Sequence, residues 1–313
     1  MKAVRTRRLA WAFRHYSQGT HERDPCTHRL SPPGVPVAES YDEIFSRHRG
    51  LITPSEQSRL SDATVGIAGM GGVGGLLAER LVRLGVGGLR ITDPGDFEES
   101  NLNRQYGSSS RNLGLNKAEA VWRQLKDINP DARIQWDARG VYTDADAERL
   151  TQGCDLVIDE MDLGLFRESI RLQRAARSRG LYCLFASAIG FGALVVIFDP
   201  QGMTLEEYDR LPPDLDLDAD EIPVIPLERM APVMPSYARA IPPDEVQRYI
   251  SAEMPGPSTC IGAGLAAVLA ATETMNIILK RREIPTAPSY TYIDLLDQRL
   301  IVESAGPPGN EQG

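Results

Sequence analysis

The stretch "VGIAGMGGVGG", Val65 to Gly75, constrains this chain more than any other. A short run rich in β-branched and apolar residues meets five glycines between Gly69 and Gly75, and the residues that follow place Leu76, Leu77, Leu81 and Leu84 on one helical face. That pattern requires a strand that turns sharply into a helix. Gly69, Gly71 and Gly74 match the G-x-G-x-x-G spacing, with an additional glycine at Gly72. Glycines at this spacing allow a tight turn and close backbone approach to phosphate, and the helix start offers free N–H groups to an anion. The loop alone suits NAD and ATP equally.

The alternation continues beyond it. "LRITD" reads as a second strand, "LNKAEAVWRQLKDIN" as an amphipathic helix stopped by Asn129-Pro130, and "RIQW" as a third strand. "CDLVIDEMD" is a buried strand ending in acids, "LFRESIRLQRAARSRG" a helix, and "YCLFAS" and "LVVIFD" are further strands. The expected fold class is α/β: a doubly wound, Rossmann-like, mostly parallel sheet with helices on both faces, plus a C-terminal helix and antiparallel strands. Residues 1–40 are expected to form a flexible extension, 41–303 the folded domain, and 304–313 a tail. Within the domain, 200–257 is rich in Pro, Asp and Glu and is expected to be a long crossover. The final helix and the strands "YTYID" and "RLIVE" restore order.

Composition narrows the function. A formal net charge of −9 argues against a role built on phosphate neutralisation along nucleic acid. The first forty residues run the other way, with seven Lys/Arg against three acids, but carry no apolar core that would make them a secretory signal. The four cysteines, Cys26, Cys154, Cys183 and Cys260, lie far apart with no C-x-x-C pair, which points to no zinc site and a reducing, cytoplasmic compartment. The one long apolar run, Cys260 to Lys280, carries Glu273 and Asn276 and reads as a buried core helix rather than a membrane span.

Strand ends carry the chemistry in a doubly wound sheet. Asp93 lies about 20 residues beyond the glycines, where an acid meets ribose hydroxyls of either nucleotide. Asn101, Asn103, Arg104, Gln105 and Lys117 then place amide donors and two cations nearby. A triphosphate needs such cations where charge builds, and a dinucleotide has less use for them. Asp159 and Asp162 close the fourth strand, where a carboxylate can share Mg²⁺ with phosphate oxygens or cap the next helix.

Taken together, "GMGGVG", Asp93, "SNLNRQ", "GLNK", "INP" and "DEMD" resemble the ThiF/MoeB/HesA superfamily, the bacterial relatives of ubiquitin-activating enzymes. The resemblance covers Glu43 to Leu279 and implies an ATP-dependent adenylyltransferase. A substrate carboxylate, on a small ubiquitin-like protein, a peptide or a metabolite, would attack the α-phosphate and release pyrophosphate. Carried onto this chain, it places Gly69, Gly71, Gly72 and Gly74 around the phosphates and Asp93 at the ribose. Asn101, Arg104, Gln105 and Lys117 fall to the phosphates, and Asp162 to Mg²⁺. It also implies a homodimer, across which an upstream arginine reaches the nucleotide; Arg47 is the residue chosen for that role over Arg49. The pattern departs at Leu163, where the family has asparagine, and in having neither zinc-binding C-x-x-C pair. No cysteine falls between Asp199 and Pro257, and Cys260 is expected to be buried, so the reaction is expected to need no thiol. Two other readings stand beside this one: a tRNA threonylcarbamoyladenosine dehydratase-like enzyme, and a nucleotide- or partner-binding member without catalysis. A dehydrogenase ranks last, because all four histidines precede Gly50.

Overall fold

The computed structural model describes residues 41–304, except 163, 220–222, 224, 226–228, 230–231, 251–252 and 255. The expectations for residues 1–40, for Leu163 and for residues 305–313 of the tail therefore lie outside the described residues.

Eight strands form one sheet in the order β3-β2-β1-β4-β5-β6-β7-β8. They are β1 (Thr64–Ala68), β2 (Gly88–Thr92), β3 (Arg133–Asp137), β4 (Leu156–Asp159), β5 (Tyr182–Ile189), β6 (Gly192–Phe198), β7 (Ser289–Asp294) and β8 (Arg299–Ser304). Pairings from β3 through β5 are parallel, and those from β5 through β8 are antiparallel. The chain reverses its winding at β1, which pairs β2 on one side and β4 on the other. The crevice at the carboxyl ends of β1 and β4 is thus the topological switch point.

The helices are α1 (Tyr41–Ile44), α2 (Pro54–Asp62), α3 (Gly74–Leu84), α4 (Lys117–Ile128), α5 (Asp144–Thr151), α6 (Phe166–Ser178), α7 (Leu205–Tyr208), α8 (Pro243–Ile250) and α9 (Cys260–Leu279). Strand alternation sorts the core into two layers. Leu77 and Leu81 of α3, Val121 and Leu125 of α4 and the alanines of α9 cover one face with Ile67, Leu184 and Val195. Leu150 of α5 and Leu172 and Ala176 of α6 cover the other with Val157, Leu194 and Val196. Helices α2 and α5 were not foreseen in the sequence. Each opens on a reciprocal capping box, Thr53 with Glu56 and Thr143 with Asp146, a local signal worth about 1 kcal/mol.

Helix α9 is built inside out relative to the usual amphipathic helix. Its small residues Gly262, Ala263, Ala266, Ala267, Ala270 and Ala271 are buried, while Ile261 and Val268 are 47% and 45% exposed. The helix is long and apolar enough to cross a membrane by composition, but it packs on β5, β6, α3 and α2 with Glu273 and Asn276 buried. Cys260 was expected to be buried and is exposed, because it is the first residue of α9, just after the N-cap Thr259.

The acidic first half of the crossover lies on α6. Arginines spaced along one face of that helix reach it in turn: Arg167 donates to the Leu217 carbonyl at 2.9 Å, Arg171 pairs Asp218 at 2.5 Å as well as Asp144 of α5 at 2.6 Å, and Arg174 pairs Glu206 at 2.8 Å. Helical spacing of these cations thus ties Glu206, Leu217 and Asp218 to one face of α6.

Candidate functional site

At the end of β1 the backbone turns through Gly69, whose φ of +97° suits glycine and whose N–H donates to the Thr92 carbonyl at 2.8 Å. A Cβ on Gly69 would overlap the Glu160 carbonyl, and one on Gly74 would overlap the carbonyl of Gly69. These two glycines are therefore demanded by packing. Gly71 and Gly72 differ: a Cβ there would first meet Gln105 Nε2 at 3.9 Å and Arg104 Nε at 3.6 Å. Packing does not demand glycine at either position, and both are bordered by the two residues the sequence assigned to phosphate, with Ala263 also beside Gly72.

Two helices start at this crevice. α3 follows β1 and α6 follows β4, and neither N-cap, Val73 or Leu165, makes a side-chain capping bond. In α2, α4, α5, α7 and α9 a Thr or Asn side chain does that work. The uncommitted N–H groups and the helix dipoles favour an anion here.

Asp93 is 8% exposed and takes two backbone donors, Met70 N–H at 2.6 Å and Gly95 N–H at 2.8 Å. It thereby anchors the glycine loop, a role its spacing did not reveal. Burial raises its carboxyl above the ordinary range, while Lys117 and the two N–H groups oppose that rise and Asp162 adds to it. Lys117 and Asp162 thus each lie within electrostatic reach of Asp93. Asn116 caps α4 and donates to the carbonyls of Asp93 and Gly95 at 2.9 and 3.1 Å, which sets Lys117 beside them.

Asn101 is buried and turned into its own loop. Its Oδ1 accepts from Glu98 N–H at 3.0 Å, and its carbonyl accepts from Arg104 and Gln105 N–H at 3.2 and 3.0 Å. It shapes the loop that presents the next two side chains. Arg104 is half-buried and donates to the Ser100 carbonyl at 3.1 Å and Asn103 Oδ1 at 2.9 Å. Gln105 is 8% exposed, and its Oε1 is buried without a partner. An orphaned acceptor beside the open glycines fits a site made to receive a polar ligand. Asp162 is exposed three residues past the end of β4. Among the described residues no group of three or more His, Cys, Asp or Glu side chains gathers to hold a metal, and a single carboxylate suits Mg²⁺ shared with phosphate oxygens. Arg47 is exposed on the turn Ser46–His48, with no hydrogen bond or ion pair joining it to the glycine loop among the described residues.

Sequence reasoning passed over Glu160, directly beneath the loop. Burial holds its carboxyl well above the usual range, and Oε1 has no partner. Behind β4–β6 a cavity of about 60 Å³ separates the sheet from α6 and α7, lined by Asp159, Tyr208, Asp209 and Arg229 among apolar walls. Burial raises Asp159 to about 6 and Asp209 to about 7, the latter despite the opposing charge of Arg229. A carboxyl raised on folding stabilises fully below its unfolded value, and that stability is lost as pH rises through the folded one. The chain is therefore expected to lose stability between about pH 4 and about pH 7. Asp209→Asn should flatten that loss by a few kcal/mol, since each tenfold change in proton affinity is worth about 1.4 kcal/mol, read as thermal midpoint against pH. Parallel curves for the two proteins would contradict the assignment.

A family model described as the ThiF family matches residues 45–312. The tRNA threonylcarbamoyladenosine dehydratase of Haemophilus influenzae is 32% identical over 124 residues, 40% of this chain and 48% of that one. The sulfur carrier protein ThiS adenylyltransferase of Bacillus subtilis is 34% identical over 156 residues, 48% of this chain and 44% of that one. The chain thus spans about half the length of these curated relatives. The solved structure of Escherichia coli MccB with ATP superposes with a TM-score of 0.61 at 18% identity, over 80% of this chain and 66% of that one, which is a likeness of fold.

Proposed function

The chain belongs to the ThiF family, and on that premise we propose that it is an ATP-dependent adenylyltransferase that activates a substrate carboxylate without a catalytic cysteine. The observation that carries this reading is the crevice itself. Two uncapped helix starts, two unobstructed glycines and the Gln105, Arg104 and Lys117 side chains converge there. One of the solved structures with this fold contains ATP.

In this reading the backbone around Gly71 and Gly72 and the start of α3 hold the phosphates, with Gly69 and Gly74 fixing the turn. Asp93 fixes the loop and faces the ribose, Asn101 shapes the loop that presents Arg104 and Gln105, and Gln105 completes the nucleotide's surroundings. The substrate carboxylate attacks the α-phosphorus, the bond to the β-phosphate oxygen breaks, and pyrophosphate leaves as the acyl-adenylate forms. Arg104 and Lys117 stabilise the negative charge that builds on the phosphate oxygens. Asp162 would hold Mg²⁺, which supplies further charge neutralisation when bound. Arg47 would complete the site from a second copy of the chain. Pairing of two copies is supported by the exposed Ile261 and Val268 of α9 together with Leu300 and Val302 of β8, which are 70% and 59% exposed. Leu300 and Val302 pair with Ile293 and Thr291, so they lie on the sheet face that α9 covers. Residues 41–303 would form the adenylation domain, and the unpaired cysteines suit a reducing compartment such as the cytoplasm.

The test is pyrophosphate release from ATP and Mg²⁺ with a panel of acceptors: a small protein ending in Gly-Gly, short peptides and small carboxylic acids. Release that depends on a free carboxylate supports the reading; ATP that binds without turnover with any of them contradicts it. A variant lacking all four cysteines should retain exchange within about threefold. Loss of exchange in a folded Cys260→Ser variant would restore a thiol to the mechanism. A dehydratase-like activity is the second reading, favoured by the similarity to the Haemophilus influenzae enzyme; pyrophosphate release that requires tRNA would select it.

A further inference from the structure

A continuous run of hydrogen bonds leads from the core of β7 to Arg104. Asp294 is 1% exposed, and its carboxylate receives Tyr237 Oη–H at 2.7 Å, Tyr292 Oη–H at 2.9 Å, and the Leu296 and Asp297 N–H groups at 2.9 and 2.8 Å. The neighbouring Asp297 receives the N–H and hydroxyl of Ser236 at 2.7 and 2.5 Å, which fixes the residue before Tyr237 as well. With its own O–H directed at Asp294, the Tyr237 oxygen accepts the Phe191 N–H at 2.7 Å. Phe191 is at the tip of the β5–β6 hairpin, and its ring meets that of Tyr237 edge-on at 5.4 Å. Gly190 beside it has a φ of +62°, and a Cβ there would lie 2.6 Å from the Tyr237 ring.

The other side of the tip leads toward the nucleotide crevice. The Gly190 carbonyl accepts the Thr259 hydroxyl at 2.8 Å, and Thr259 caps α9 by accepting the Gly262 N–H at 3.1 Å. The Ser258 carbonyl accepts Asn103 Nδ2 at 3.3 Å, and Asn103 Oδ1 accepts Arg104 Nη1 at 2.9 Å. Ala263, one turn into α9, and Arg104 both border Gly72.

We propose that Tyr237 is a positioning residue for Arg104: its hydroxyl, held by Asp294, fixes the hairpin tip, and the tip fixes the head of α9 and the Asn103–Arg104 loop. The inference rests on the reading of Arg104 as a phosphate contact. Tyr237 touches neither the nucleotide nor the substrate carboxylate. It ties the crossover, to which it belongs, to the cation that acts on ATP.

The test is calorimetric titration of the full chain with ATP and Mg²⁺ in a double-mutant cycle, with hydrogen exchange measured by mass spectrometry on the same proteins. Tyr237→Phe should speed exchange over residues 189–192 by about tenfold or more, the loss expected for a hydrogen bond to a buried carboxylate. It should weaken ATP binding about tenfold in the native background and less than about twofold in an Arg104→Ala background, because a residue that acts through Arg104 has no effect once Arg104 is gone. Equal losses in both backgrounds would mean general loosening and would overturn the proposal, as would unchanged binding in the native one. Asp294→Asn keeps an acceptor for Tyr237 and should fall between the two, which serves if Tyr237→Phe fails to fold. Absence of ATP binding in the native protein would instead reject the adenylation reading, whereas exchange over 189–192 without nucleotide still decides whether Tyr237 holds the hairpin.

Discussion

Arg104→Ala is expected to lower ATP–pyrophosphate exchange by roughly 10²–10³-fold with little change in thermal stability, and Lys117→Ala is expected to lower exchange as far. The magnitude follows from the chemistry each would perform. The α-phosphate gains charge as the carboxylate attacks, and a fixed cation in a water-poor crevice stabilises that charge far better than bulk solvent does. Arg104 is half-buried beside Gly72 and donates only to its own loop, so its removal leaves no buried partner uncompensated. Lys117 lies next to Asp93 and would leave that carboxylate less well balanced, so its variant should also weaken ATP binding. An exchange rate within about threefold of the native value for either variant would remove that residue from the mechanism.

Gly74→Ala should be among the most damaging single methyl additions at the described glycines. The added Cβ overlaps the Gly69 carbonyl, which is backbone and cannot rotate away, and its next neighbour is Glu160 Cβ at 3.3 Å. Separating α3 from β1 would disturb Leu77 and Leu81, both fully buried. A loss of about 3 kcal/mol or more is expected, seen as a fall of roughly 6–12 °C in the thermal midpoint. Gly71→Ala provides the contrast: its Cβ meets nothing nearer than Gln105 Nε2 at 3.9 Å, so the variant should fold normally and lose ATP affinity instead. If both variants lost only stability, the glycines would be packing residues with no part in binding.

Much of this arrangement was legible in the sequence, for reasons that can be traced to particular residues. The β-branched run before Gly69 and the leucines after Gly75 fix β1 and α3, because a strand and a helix leave different periods in the sequence. Placement of Asp93 follows from the same β-turn-α unit. Its two backbone hydrogen bonds do not, since they depend on how the loop folds back over β2. The antiparallel turn at Gly190 and Phe191 was hidden by two apolar runs that read equally well as parallel strands. Cys260 was misjudged because the first half of α9 is apolar nearly all round: periodicity cannot say which side is covered, and here the alanines face inward while Cys260, Ile261 and Val268 face out. The crossover looked like loop because two of its acids, Glu206 and Asp218, find their cations on α6, whose spacing marks a helix but not what it faces. The Tyr237–Asp294 pair spans 57 residues and left no local trace.

The measurement that bears most directly on the central claim is calorimetric titration of the purified chain with ATP and Mg²⁺ and, separately, with NAD⁺. The account predicts saturable binding of ATP, weakened by Gly71→Ala, and none of NAD⁺ at comparable concentration. Binding of NAD⁺ alone would mean that the glycine loop serves a dinucleotide, and that Arg104, Lys117 and Asp162 stand at the strand ends for some purpose other than activating a carboxylate.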